Sequence, residues 1–331
     1  MSSQMEPQIP QAQPIDEHQA SRFAGHHKRD IAIKALVLVI IFALGAGSGY
    51  LAGTRIRVTA ASAETSTVEK DAMTLMRQIN PPEGYKIPAI YGDIGPRLVE
   101  AGAIDLAKFT SIYKQQNQPL TEEQTTILTE GSLANVEINR ENAYFMLNFF
   151  WALGLTSENP ILTEGKMVSR GRAGVGGFAS TGGWTLGTQP STELYASERI
   201  FDLNDEQQSR LAEVAAGVYR PCCNNPTDFP DCNHGMALLG LLELMASQNA
   251  TVEQMFEAAK YVNAFWFPQQ VLEIAMAIKA TQNVDFADAE GALVVGSQYS
   301  SGSGFQNVHQ WLAGNGLLPQ APSSGGSCGV Q

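Results

Sequence analysis

Two stretches of this chain are apolar on nearly every side of a helix, and a helix of that kind has to be surrounded by protein. Asn139–Leu153 carries Tyr144, Phe145, Leu147, Phe149, Phe150, Trp151 and Leu153. Gly235–Ser247 carries Met236, Leu238, Leu239, Leu241, Leu242, Leu244 and Met245. Both therefore predict buried helices, and the rest of the chain has to provide amphipathic elements to cover them.

Such elements are legible. Apolar residues at three- and four-residue spacing predict helices over Thr67–Ile79, Leu106–Gln116, Asp205–Tyr219, Thr251–Trp266 and Pro268–Thr281. Asp105 is placed to cap the second of these, while Thr121 with Gln124 and Thr251 with Gln254 have capping-box spacing. Asp285–Val295 and Asn307–Leu312 read as shorter helices, Tyr85–Tyr91 as a short extended piece, and residues 296–304 as a Gly/Ser/Tyr linker. Strand patterns are otherwise almost absent and no internal repeat is present. The expected fold class is mainly α: one N-terminal transmembrane helix, then an irregular all-α soluble domain over 81–318 with a Gly-rich loop and a Cys-rich loop.

The transmembrane expectation rests on Ile31–Gly53, an apolar run interrupted only by the charge of Lys34. At 1.5 Å per residue it spans a hydrocarbon core of roughly 30 Å. Residues 1–30, rich in Gln, Ser, Pro and His, read as a disordered tail, 54–80 as a juxtamembrane linker with an amphipathic helix, and 319–331 as a flexible C-terminal tail. Arg22, Lys28, Arg29 and Lys34 before the run outweigh Arg55 and Arg57 after it, which favours a cytoplasmic N-terminus and an extracytoplasmic domain held by a signal anchor. Gly45, Gly49 and Gly53 repeat at four-residue spacing, a pattern that lets two membrane helices approach as a homodimer.

Chemistry is concentrated between the helices. Cys222, Cys223 and Cys232 precede His234 in a loop stiffened by Pro221, Pro226 and Pro230. Three thiols and an imidazole make the ligand set of a soft-metal site, copper or zinc, with Cys222, Cys223, Cys232 and His234 as expected ligands. Cys232 stands one residue before Asn233, the expected cap of the next helix, where amide dipoles favour a thiolate. The adjacent Cys222 and Cys223 depart from the two-to-four-residue separation of ordinary zinc ligands. Two other readings use the same residues: a thiol–disulfide redox protein with Cys328 as a mobile resolving thiol, and an anchored interaction module stapled by a disulfide. Met236 and His309 are outlying ligand candidates, each better explained by packing. Asp228 and Asp231 read as turn residues, with a role as partners to a ligating imidazole as the alternative.

Other functions are disfavoured by what the chain lacks. A net charge of −12 provides no basic footprint for nucleic acid. Gly174–Ala179 has the G-x-G-x-x-A form, but no apolar strand precedes it, so no nucleotide cofactor is expected. The Gly-rich stretch between Glu164 and Pro190 reads instead as a surface loop beside the cysteines. No G-x-S-x-G, H-E-x-x-H, P-loop or C-x-x-C-H signature occurs. Enzymatic activity is expected only if the thiols are redox-active.

Overall fold

A computed structural model describes residues 72–169 and 171–318. The expected membrane run at 31–53, its glycine motif, both tails and Cys328 lie outside the described residues. Among those described, no helix is long and apolar enough to cross a membrane.

Local signals place most of the helices. Helix α1 covers residues 72–79. After strand β1 (Tyr85–Gly92) come α2 (Ile94–Glu100), α3 (Leu106–Gln115) and α4 (Glu122–Thr129). The Asp105 carboxylate accepts from Ala107 and Lys108 at the start of α3, and Thr121 and Gln124 exchange side-chain and backbone bonds of 3.1 and 3.0 Å ahead of α4. Each such cap satisfies amides that a helix start leaves without partners. Strand β2 (Ser132–Ile138) then leads to α5 (Ala143–Thr156). Helix α5 begins four residues later than its apolar pattern suggests, because Asn139 and Asn142 accept from each other's backbone amides at 2.9 and 2.8 Å and hold a turn there.

The all-α expectation is corrected by β1 and β2, which pair antiparallel, Tyr85 opposite Ile138 and Gly92 opposite Ser132. β1 alternates cleanly, with Ile87, Ala89 and Tyr91 inward. β2 escapes the sequence pattern because only Val136 and Ile138 are buried and Leu133 is exposed. The outer side of β1 is closed by Gln248, whose side-chain amide accepts from the Ile90 N–H and donates to its carbonyl, both at 2.9 Å.

The second half adds α6 (Asp205–Gly217), α7 (Asn233–Ser247), α8 (Val252–Trp266), α9 (Pro268–Gln282) and α10 (Gly302–Gly314). Asn204 with Gln207 and Thr251 with Gln254 form capping boxes for α6 and α8. The expected helix at Asp285–Val295 is broken into short turns at Phe286–Asp288 and Gly291–Val294. The expected linker at 296–304 is helical instead: Ser297–Ser300 forms a turn, and Ser301 caps α10 by accepting from Gly304 at 2.9 Å.

As their composition requires, α5 and α7 are the central pair, buried along most of their length. They cross backbone to backbone at Gly154 and Gly240. A Cβ on Gly154 would lie 2.0 Å from the Met236 carbonyl oxygen, and one on Gly240 would lie 2.6 Å from the Gly154 nitrogen. Only glycine permits that approach. Around this pair β1, α2–α6 and α8 complete the main core. A second cluster joins Ala72, Leu75 and Ile79 of α1 to Val271, Leu272 and Ala275 of α9 and to Leu312 of α10. Helix α8 feeds both, Val262 into the first and Ala264 into the second. Lys260 of α8 is fully buried, bonded to Glu257 at 2.7 Å and to the carbonyls of Phe286 and Ala289 at 3.2 and 3.0 Å, so its charge is paired rather than stranded.

Candidate metal centre

The cysteine loop leaves α6 and enters α7, and both of its ends are tied down. Tyr219 donates its N–H to Val295, the Thr227 amide and hydroxyl reach the Val218 carbonyl, and Asp228 N–H donates to Ala215. Asn263 of α8 donates to the Tyr219 carbonyl at 2.8 Å. On the other side the loop holds the start of α10: Gly302 N–H donates to the Cys223 carbonyl at 2.8 Å and Ser303 N–H to Asn224 Oδ1 at 2.7 Å.

Within that frame the three thiols converge. The sulfurs of Cys222, Cys223 and Cys232 all lie within 4.8 Å of one another, and those of Cys222 and Cys232 are 3.8 Å apart. All three are free thiols. Cys222 is exposed and the other two are partly covered, so the cluster opens on one side.

The cap of helix α7 falls one residue earlier than the sequence reading places it, because the sulfur of Cys232, rather than Asn233, takes that role and accepts from Gly235 N–H at 3.4 Å. The decisive neighbour is Arg220, which is fully buried. Its Nε donates to Cys232 Sγ at 3.1 Å, Nη1 to the Asn225 carbonyl at 3.0 Å and Nη2 to Asp231 Oδ1 at 3.2 Å. Asn225 in turn donates to the other oxygen of Asp231 at 2.7 Å. The guanidinium lies so close to the first turn of α7 that a Cβ on Gly235 would stand 2.3 Å from Nη2.

This arrangement sorts the protons. Hydrogen bonds from the Cys222 and Cys223 thiols, helped by Arg220, hold Cys232 far below the ordinary thiol range and outweigh its burial. Cys222 is pushed up, since its proton is shared toward Cys223 and Cys232. Cys232 is therefore the thiolate, at a helix N-terminus where the amide dipoles also favour negative charge.

His234 does not join the set. Its ring packs 5.4 Å from Trp266 and 4.6 Å from Phe267, centroid to centroid, and burial pushes its pKa down to about 4. The reason is non-local: the corner between α8 and α9 brings two aromatic rings to the second residue of α7. Met236 is fully buried core, and His309 is exposed and bonded to Glu273 at 2.7 Å. Asp228 pairs with Lys166 at 2.8 Å, and Asp231 serves Arg220 and Asn225. Arg220 itself is the residue that sequence reasoning passed over; its one signal is position, immediately before Pro221 and the cysteine pair.

The Gly-rich stretch lies beside the loop, as expected. Ser180 N–H donates to the Asp231 carbonyl at 3.0 Å and Phe178 meets Phe229 edge-on at 5.5 Å. Gly174–Gly177 belongs to a 3₁₀ segment, Arg172–Gly177, with none of the strand-to-helix geometry a dinucleotide needs. Comparisons with protein-family models, with curated proteins and with solved structures find no match.

Three sulfurs at these separations could hold a soft metal ion. Around a divalent ion three thiolates carry one net negative charge, which Arg220 offsets.

Proposed function

We propose that this protein binds a soft metal ion, copper or zinc, through Cys222, Cys223 and Cys232. The observation that carries the reading is the convergence of the three sulfurs within 4.8 Å. Arg220 acts as the counter-charge to the thiolates and Asp231 as the group that orients it. In the fuller form of this reading the domain is extracytoplasmic, anchored by the apolar run at 31–53 and paired through Gly45, Gly49 and Gly53.

The test is elemental analysis of the purified full-length protein under reducing conditions, followed by titration with Zn²⁺ and with Cu(I). One ion per chain is expected, lost in Cys232→Ser with the helical circular dichroism unchanged, because the serine hydroxyl can take the capping role of the sulfur. Absence of stoichiometric metal in the reduced wild type overturns the reading.

A second reading draws on a different distance. Cys222 and Cys232 lie 3.8 Å apart, and a stabilised thiolate beside a protonated thiol is the resting form of a dithiol that exchanges with disulfides. Thiol counts on unreduced protein, with and without metal, separate the two: metal protects the thiols in the first reading and is irrelevant in the second.

A further inference from the structure

The three thiols of the cluster differ in what surrounds them. Cys222 is exposed, so a solute reaches its sulfur first. The Cys232 sulfur lies 3.8 Å from it. Cys223 is turned instead toward the Asn225 carbonyl and Asp231 Oδ1, which its sulfur meets at 3.8 and 3.9 Å. Cys222 and Cys232 have to approach by about 1.8 Å to reach the roughly 2.05 Å of a disulfide. Cys222 and Cys223 are a poorer pair, because the peptide bond between them holds their Cα atoms about 3.8 Å apart, below the roughly 4.4–6.8 Å that a disulfide favours.

The loop is braced around that pair. Thr227 and Asp228 tie it to the end of α6, and Gly302 and Ser303 hold the Cys223 carbonyl and Asn224 on the other side. Closing the gap therefore falls to the side chains of Cys222 and Cys232.

We propose that a hydroperoxide closes the Cys222–Cys232 disulfide and so expels the metal ion, which makes the cluster a redox-gated site. This gating presupposes the metal reading above, in which the bound sulfurs are thiolates. Metal shields them from bulky disulfides, whereas a hydroperoxide is small enough to reach Cys222. The Cys222 thiolate attacks the terminal peroxide oxygen, the O–O bond breaks, and the other oxygen leaves and takes up a proton, giving the Cys222 sulfenic acid. The Cys232 thiolate then attacks the Cys222 sulfur, and hydroxide leaves and is protonated to water. Two electrons pass from the two thiolates to one peroxide. The ion is left with Cys223 alone and dissociates.

Arg220 makes the change reversible. Its Nε donates to the Cys232 sulfur from full burial, while Nη1 and Nη2 serve Asn225 and Asp231. A neutral disulfide sulfur is a weaker acceptor than a thiolate, so the oxidised form gives up a charged hydrogen bond and the reduced form returns once a thiol reductant is supplied.

Treating zinc-loaded full-length protein with hydrogen peroxide tests this, with released zinc followed by a chromogenic chelator. One zinc ion should leave for each disulfide formed, and dithiothreitol should restore binding. Cleavage before Asp228 and Asp231 separates Cys232 from the adjacent pair. Mass spectrometry of the alkylated fragments should then find Cys222 joined to Cys232, with Cys223 and Cys328 alkylated. Cys223→Ser, which loses the metal, should still form that bond, so the pairing is checked without zinc as well. Zinc that stays bound after the peroxide is consumed, or a bond to Cys223 or Cys328 in place of Cys222–Cys232, would overturn the gating and leave the metal reading standing. Reduced protein that takes up no zinc or copper would overturn both.

Discussion

At the first turn of α7 the Cys232 sulfur receives hydrogen bonds from Arg220 and Gly235. About three turns later in the same helix, Glu243 is met by no cation, and the Ser157 hydroxyl is the one donor that relieves its burial. Both groups are acids penalised by burial, Cys232 in part and Glu243 wholly, yet Cys232 sits well below its ordinary range and Glu243 at about 8, well above its own. Burial alone therefore does not fix the ionisation of a group. What decides is whether donors and a cation are brought to it, and here the Cys222 and Cys223 thiols, helped by a buried guanidinium, do so at one end only.

The comparison can be broken most directly at Glu243. Its carboxyl has a raised pKa in the fold, so the cost of ionising it is absent below the ordinary value of 4.5 and grows as pH rises toward about 8. Relative to its value below pH 4.5, the stability gained by replacing it with methionine should grow by up to roughly 5 kcal/mol at pH 8. Denaturant unfolding of both forms across this range checks it, and a constant offset at all pH values would contradict the assignment. Removing the charge at the other end should have the opposite sign. Arg220→Met takes the guanidinium from Asp231 Oδ1, the Asn225 carbonyl and the Cys232 sulfur and should cost about 3–5 kcal/mol.

The crossing that joins the two ends gives a smaller effect. Gly240→Ala places a methyl group 2.6 Å from the Gly154 nitrogen and should cost about 1–3 kcal/mol by forcing α5 and α7 apart. If thermal unfolding shows no loss, the close approach is not a constraint. The smallest shift sharpens the role of Cys232: the alanine variant should lose about 1 kcal/mol of helix capping and the serine variant almost none, and on the proposed metal reading neither binds zinc.

How much of this was legible in the sequence follows the range of the interactions. The caps at Asp105, Thr121 and Thr251 are local, and the structure has them where residue type and spacing put them. Strand β2 was hidden because its pairing with β1, rather than its own pattern, makes it a strand. The linker at 296–304 was misread because its helical start depends on Ser301 and on contacts with Cys223 and Asn224, far away in the chain. The three thiols were visible as a cluster. The exclusion of His234 was not, since Trp266 and Phe267 arrive from another corner of the fold. Glu243 is conspicuous as a charge within an apolar run, but its isolation appears only once α5 is packed against it.

The small sheet carries a last consequence. A two-stranded ribbon offers its outer backbone groups to any extended chain that drifts past, and that is a common beginning of aggregation. Gln248 already occupies both groups of Ile90 with a side chain that imitates a peptide unit. At that residue a passing strand finds no bond left to make, so the end of α7 guards the solubility of an element distant from it in sequence.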